Sequence, residues 1–253
     1  MDPAASPIGP ARFELQSEIE PTPRRVTFAN PRYSVCYPAL MSSPTCFLES
    51  SKYADAGLRD CHSYILPCIL ALSADLRPHS RVLDIGCGNG SLASQFAKRG
   101  HSVVGVDMAE SGIRIARQSC PSGRFEVLAA DRHILGQLHE EPFDLVYSAE
   151  VIEHLYDPRS FMAGCFAATK PTGRFICTTP YHGYLKNVAI SLTNNWDHHA
   201  DPLFDGGHIK LFSRVKLSTL MAEGGFRDVQ FRGAGRFPYL WKSMVLSGVR
   251  PPD

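Results

Sequence analysis

No run of apolar residues in this 253-residue chain approaches the ~20 that a bilayer-crossing helix requires. No membrane span is therefore expected, and the first residues lack the basic start and apolar stretch of a secretory leader. An excess of one charge is missing too: 26 Lys and Arg stand against 25 Asp and Glu, for a formal net charge of +1. Without a domain-wide basic field to hold a phosphate backbone, a nucleic-acid partner is not expected. The eight cysteines, at positions 36, 46, 61, 68, 87, 120, 165 and 177, include no C-x-x-C pair and no short spacing that would give one zinc ion its ligands. They read as reduced thiols of a cytoplasmic protein, because a chain of this length has enough apolar surface to do without disulfide staples. Internal repeats are also absent. What is present, 44% hydrophobic and 20% charged residues, is the balance of a globular chain that closes one sizeable core.

Proline is unevenly spread, with eight of the 19 inside residues 3–44, a density that breaks regular elements. Residues 1–50 read as a Pro-rich, partly irregular arm ahead of a domain spanning 51–253. Phe28, Tyr33, Tyr37, Leu40, Met41, Phe47 and Leu48 suit the arm to docking, either on the body as a lid or on a second copy in a homo-oligomer; a loosely held leader is the plainer alternative. Over 58–76, Leu58, Tyr64, Ile65, Leu66, Ile69, Leu70, Leu72 and Leu76 recur largely at helical spacing with an interruption near Pro67, which predicts one or two packed helices. After Pro78 the pattern changes to short β-branched runs at 81–85, 102–106, 124–128, 143–148 and 173–178, with helical stretches at 91–99, 111–119 and 158–170. That alternation predicts a parallel sheet with right-handed crossovers in a three-layer α/β sandwich, and ligands at the carboxyl ends of its strands. Further on, 213–223 reads as a helix capped by Ser213 and stopped by Gly224 and Gly225. Strands at 229–231 and 240–246 then form an antiparallel hairpin.

The chemistry begins where the first strand ends, in Asp84-Ile85-Gly86-Cys87-Gly88-Asn89-Gly90-Ser91. Glycines at 86, 88 and 90 let a ligand approach the backbone, and the following helix N-terminus offers unpaired N–H groups to an anionic group. Dinucleotide folds use G-x-G-x-x-G, and this loop is off that spacing. In its strand–loop–helix setting, the D-I-G-C-G-N-G segment resembles the first motif of the class I S-adenosylmethionine-dependent methyltransferases. The resemblance runs from about residue 57 to the end of the chain. It implies a Rossmann-like, seven-stranded, mostly parallel sheet with the last strand antiparallel, and S-adenosylmethionine as the cofactor. It also implies that Gly86, Cys87, Gly88, Asn89 and Gly90 hold the methionine part, with Asp84 placing its amino group.

Asp107 closes the second strand 21 residues after Gly86, where an acidic side chain can accept both hydrogen bonds of a ribose diol. In the family this is the ribose contact, with Met108 packing on the adenine; a helix N-cap is the alternative role. Asp131 and Arg132 follow the third strand, where the family reads the adenine amino group, although an Asp also starts turns. After the fourth strand, Ala149 and Glu150 line the expected cofactor pocket. On a helical turn Glu150, Glu153 and His154 lie at i, i+3 and i+4, and so face one spot. Two carboxylates and an imidazole could ligate a divalent ion or share acid–base duty. This E-x-x-E-H run is similar to that of the ubiquinone-pathway O-methyltransferases, which implies either a Mg2+ site from Glu150, Glu153 and His154 or residues that close the cofactor pocket.

Residues 180–212 form the longest stretch left over and read as a substrate-covering insertion. Their aromatic and His content suits a flat organic acceptor. Tyr181, His182, His199 and His208 are candidate bases here, and Glu150 and His154 join His182 and His208 as the catalytic set. The cluster of Asp197, His198, His199 and Asp201 reads as solvated loop polarity. The expected activity is methyl transfer to a small molecule, with a hydroxyl of an aromatic or natural-product acceptor favoured by the E-x-x-E-H likeness. An N- or C-methyltransferase of the same fold, a dinucleotide oxidoreductase and a non-catalytic partner subunit are the alternatives. Neither an N-P-P-Y motif nor a basic face points to a protein or RNA acceptor.

Overall fold

The computed structural model describes residues 53–204 and 206–253. The Pro-rich arm, with its lid and homo-oligomer readings, lies outside the described residues, as do Cys36, Cys46 and Asp205. Among the described residues, no helix is long and apolar enough to cross a membrane. Cys61, Cys68, Cys87, Cys120, Cys165 and Cys177 are free thiols.

Seven strands form one sheet: β1 (Arg81–Ile85), β2 (Ser102–Asp107), β3 (Arg124–Val127), β4 (Phe143–Ala149), β5 (Thr169–Pro180), β6 (Arg227–Ala234) and β7 (Ser243–Val249). Their order is β3-β2-β1-β4-β5-β7-β6, parallel from β3 through β5, with β7 antiparallel to both of its neighbours. This is the wound sheet with a terminal hairpin that the β-branched runs predict. The helices are α1 (His62–Leu72), α2 (Ala93–Ala97), α3 (Glu110–Ser119), α4 (Ile134–Leu138), α5 (Pro158–Ala168), α6 (Tyr184–Leu192), α7 (Trp196–His199) and α8 (Arg214–Glu223). The chain leaves β1 in one direction for β2 and β3 and resumes on the other side at β4. The crevice between the carboxyl ends of β1 and β4 is therefore the topological switch point, where such sheets take ligands.

Alternation along β1 sends Leu83 and Ile85 to one face and Val82 to the other. The first face packs on Phe161, Phe175, Leu217, Met221 and Phe226, and the second on Ile65, Ile69, Phe96, Ile113 and Tyr147. Burial on both faces explains why the strands read as apolar runs. Ser213 caps α8 by accepting from Lys216 N, and Asp157 caps α5 by accepting from Arg159 N and Ser160 N.

Several boundaries differ from the sequence reading. The first helix runs unbroken through Pro67. A mid-helix proline costs ~3 kcal/mol, but Ile65, Ile69 and Leu72 are buried on the sheet at ~1.5–3 kcal/mol each, so packing holds the helix together. Helix α5 stops at Ala168 instead of 170, because Thr169 pairs with Phe143 and its hydroxyl donates to Cys165 O at 2.7 Å. The last strand begins at Ser243 instead of 240, and α4, α6 and α7 are additional short helices that periodicity did not reveal.

Candidate active site

Gly86 (φ +81°) and Gly88 (φ +52°) take the left-handed backbone that turns the chain out of β1. The place of a Cβ on Gly86 is filled by Val151, and on Gly88 by the Tyr53 ring. Val106 O accepts from Gly86 N at 2.7 Å and from Cys87 N at 2.9 Å, which fixes the loop to β2. The Cys87 side chain is buried, and burial pushes its thiol well up, so Cys87 offers the site only backbone. The Asn89 side chain is engaged within the protein, its Nδ2 donating to Asp55 O at 2.8 Å and Gly57 O at 2.9 Å. These bonds lay residues 53–59 across the glycine loop. Tyr53 rests against Gly88 and Gly112 with the Arg59 guanidinium 4.4 Å from its ring centre. Burial and the Asp107 carboxylate push the Tyr53 hydroxyl up to about 12.

Asp107 spans the gap between loop and helix, its Oδ2 accepting from Gly88 N at 2.8 Å and its Oδ1 from Ala109 N at 2.7 Å. Met108 beside it is 45% exposed, an apolar side chain left without cover at a strand end. Asp131 begins the turn into α4, accepting from His133 N at 2.8 Å, so the turn role is the one the geometry displays. Arg132 reaches Ser160 Oγ with its Nε at 3.2 Å. Asp84 is buried, and its Oδ2 accepts the Tyr147 hydroxyl at 2.8 Å while its Oδ1 has no partner. Burial pushes this carboxyl up to about 7 despite the Tyr147 bond. A buried carboxylate oxygen without a donor is costly and uncommon. At the root of a glycine loop it fits a cofactor that brings an ammonium group.

The E-x-x-E-H segment is not a continuous helical turn. Ala149 ends β4, Glu150 takes a left-handed φ of +56°, and only Ile152–His154 form a short 3-10 turn. Glu150 is drawn off to β5 and β7, where it accepts from Thr178 Oγ1 at 2.7 Å and Ser243 Oγ at 3.1 Å. The structure thus separates it from the trio expected with Glu153 and His154. His208 takes its place. Glu153 O accepts from Ile209 N at 2.9 Å and Lys210 N at 3.0 Å, and Gly207 O lies 3.1 Å from His154 Nδ1, so the loop carrying His208 is fastened over the turn.

Glu153 Oε1 consequently lies 4.0 Å from His154 Nε2 and 3.9 Å from His208 Nε2. It is buried and makes no hydrogen bond, while Oε2 accepts from Thr179 Oγ1 at 2.9 Å. Burial, and behind it the nearby Glu150, push the Glu153 carboxyl well above the usual range; burial and His154 hold His208 below the ordinary imidazole value. The three side chains present ligand atoms within 4.8 Å of one another. One carboxylate and two imidazoles do not match the oxygen shell that Mg2+ takes, so the magnesium site expected from Glu150, Glu153 and His154 does not fit.

His182 is stacked on Trp196 with ring centres 6.4 Å apart and planes 8° apart; burial takes it down to about 4, too weak a base for work near neutral pH. Tyr181 is buried edge-on against Trp241 as part of the core, 5.1 Å between centres. The sequence reading missed Tyr53, which has no periodic neighbours. It also missed Thr178, whose polarity at the end of an apolar strand was an available signal.

A glycine loop and an acidic strand end at the switch point of a sheet whose final strand is reversed are the features of the class I S-adenosylmethionine-dependent methyltransferase fold. The chain belongs to the methyltransferase domain family, whose profile matches residues 58–231. It is 38% identical over 162 residues to a ubiquinone biosynthesis O-methyltransferase of Dinoroseobacter shibae, covering 60% of this chain and 62% of that one. It is 37% identical over 177 residues to the enzyme of the same name from Roseobacter denitrificans, covering 66% and 68%. The match to the Dinoroseobacter protein thus spans less than two thirds of its length. In fold it is similar to Haemonchus contortus phosphoethanolamine N-methyltransferase 2, solved in complex with S-adenosyl-L-methionine. That likeness has a TM-score of 0.54 at 18% identity and covers 74% of this chain and 52% of that one.

Proposed function

We propose that this protein is an O-methyltransferase that moves a methyl group from S-adenosylmethionine to a hydroxyl of a small aromatic acceptor. One observation carries the reading. Of the four buried side-chain polar atoms without a partner among the described residues, Asp84 Oδ1, Ser148 Oγ and Glu153 Oε1 lie at or just beyond the carboxyl ends of β1 and β4; the fourth, His101 Nδ1, lies elsewhere. Orphaned groups gathered at a switch point support a ligand that satisfies them. The relatives named ubiquinone biosynthesis O-methyltransferase support the hydroxyl acceptor.

When bound, S-adenosylmethionine supplies an electrophilic methyl group on a sulfonium leaving group. In this reading Asp84 and the backbone of residues 86–90 hold the amino-acid end, Asp107 holds the sugar hydroxyls and Met108 covers the base. Catalysis then rests on aligning the acceptor and removing its proton. Ligand atoms no more than 4.8 Å apart leave room for one oxygen at about 2.8 Å from all three, an ordinary hydrogen-bond length. An acceptor hydroxyl seated there lies within hydrogen-bond reach of the Glu153 carboxyl, which burial pushes well up, and donates to His208 Nε2, whose pKa burial lowers. His154 acts as a positioning residue through Gly207. Glu150 braces β5 and β7, and His182 serves as a flat wall. Magnesium has no part in this scheme, because the trio's nitrogen donors suit it poorly.

Incubation with methyl-labelled S-adenosylmethionine and a panel of phenols, catechols, indoles and amines tests the acceptor class. Label is expected on oxygen of the phenols or catechols, at a rate unchanged by EDTA. Label confined to amines or indoles would overturn the hydroxyl assignment.

A further inference from the structure

Between Tyr53 and the start of α1 the chain is neither helix nor strand, and residues 54–60 are all exposed, Leu58 included. Such a stretch buries too little apolar surface to hold itself on the body. Polar contacts hold it instead, and their partners lie in and beside the glycine loop and at the start of α3. Asn89 Nδ2 donates to Asp55 O at 2.8 Å and to Gly57 O at 2.9 Å, and Tyr53 N donates to Ser111 Oγ at 3.4 Å. His62 Nδ1 accepts from Arg59 N at 3.2 Å and lies 3.1 Å from Ser91 Oγ. Asn89 Oδ1 accepts from Ser91 N at 3.2 Å, so this one side chain joins the segment to the turn that follows the loop. The Tyr53 ring stands against Gly88 and Gly112, on the same loop and helix that Asp107 joins through Gly88 N and Ala109 N.

Resting on the methyltransferase reading above, we infer that residues 53–59 are a strap that closes over the sugar end of S-adenosylmethionine, and that Asn89 is the positioning residue that latches it. The demethylated product, S-adenosylhomocysteine, leaves only after Asn89 releases Asp55 O and Gly57 O and Tyr53 lifts from Gly88. Two neutral hydrogen bonds suit that task, because they hold the closed form in the majority and still break without unfolding the core. A closed strap keeps water from the cofactor while methyl transfer takes place, and its opening gates exchange of product for fresh cofactor. The latch also gives Asn89 a use that ligand contact does not. Its side chain is 3% exposed, and both of the donor contacts it makes go to the strap.

The probe is radiolabelled S-adenosylhomocysteine, chased from the full-length protein with an excess of unlabelled compound. Asn89→Ser leaves a hydroxyl that can still accept from Ser91 N but is too short to reach either strap carbonyl. It is expected to speed dissociation on the order of 10- to 100-fold, the worth of two neutral hydrogen bonds. Tyr53→Ala, with Asn89 intact, is expected to speed it comparably. The double variant should be no faster than the faster single one, because both changes open the same strap. Trypsin gives a second readout at Arg59, within the strap. In the wild-type protein saturating S-adenosylhomocysteine is expected to slow cleavage after Arg59 by at least about 10-fold, since only the open form is cut. An unchanged dissociation rate in Asn89→Ser overturns the inference, as do effects that multiply in the double variant. Cleavage after Arg59 that ignores the ligand overturns it without needing any variant. Failure of the wild-type protein to bind S-adenosylhomocysteine at all strikes instead at the methyltransferase reading, so the two failures are distinguishable.

Discussion

Asp107→Ala is expected to raise the Kd for S-adenosylmethionine by at least 100-fold while the protein stays folded. The carboxylate accepts from Gly88 N and Ala109 N at 2.8 and 2.7 Å, so its removal unfastens the glycine loop and takes away the proposed sugar contact together. Each hydrogen bond to an ionised group is worth roughly 1.5–3 kcal/mol, and a tenfold change in affinity corresponds to about 1.4 kcal/mol. The loss of the two proposed bonds to the sugar hydroxyls therefore exceeds two decades. Burial raises the Asp107 carboxyl while the backbone N–H groups lower it, so the ionised form depends on those donors. Asp107→Asn keeps the shape but turns half the group into a donor, and it is expected to fall between wild type and alanine. Calorimetric titration of the three proteins, with thermal melts to verify folding, reads the effect. An unchanged Kd in Asp107→Ala would show that the cofactor lies elsewhere.

The second large effect is on the chemical step. His208→Gln is expected to lower kcat for a phenolic acceptor by about 100-fold or more, the usual worth of a positioned general base, with little change in cofactor affinity. The pH dependence carries the sign. A base works when deprotonated, so activity should rise through its pKa and remain high above it. Burial and His154 lower the His208 value, so the acid limb of kcat should fall below pH ~6.5, the ordinary imidazole value. In His208→Gln that limb should vanish, and the residual rate should climb toward alkaline pH as the phenol ionises unaided. An acid limb that persists in the variant would assign the proton to another group.

The wound sheet was readable because its signals are local. Strands 81–85 and 102–107 announce themselves by β-branched runs, the glycine turn by its own residues, and Asp107 by its distance from Gly86. The acceptor side was less readable because its contacts are long-range. Glu153 and His208 meet only because Ile209 N and Lys210 N bind Glu153 O, and no periodicity joins positions that far apart. The E-x-x-E-H spacing misleads on Glu150 for a related reason. Helical spacing puts it beside Glu153, but hydrogen bonds to Thr178 and Ser243, from two other strands, hold it in the left-handed region instead. Tyr53, over Gly88, lies just past the Pro-rich arm and outside any regular element.

The most direct test of the central claim is a crystal structure of the protein grown with sinefungin. The analogue is expected in the crevice between β1 and β4, its amino-acid end against residues 86–90 with the ammonium near Asp84 and its ribose on Asp107. Sinefungin bound elsewhere, with that crevice vacant at saturating concentration, would contradict the account.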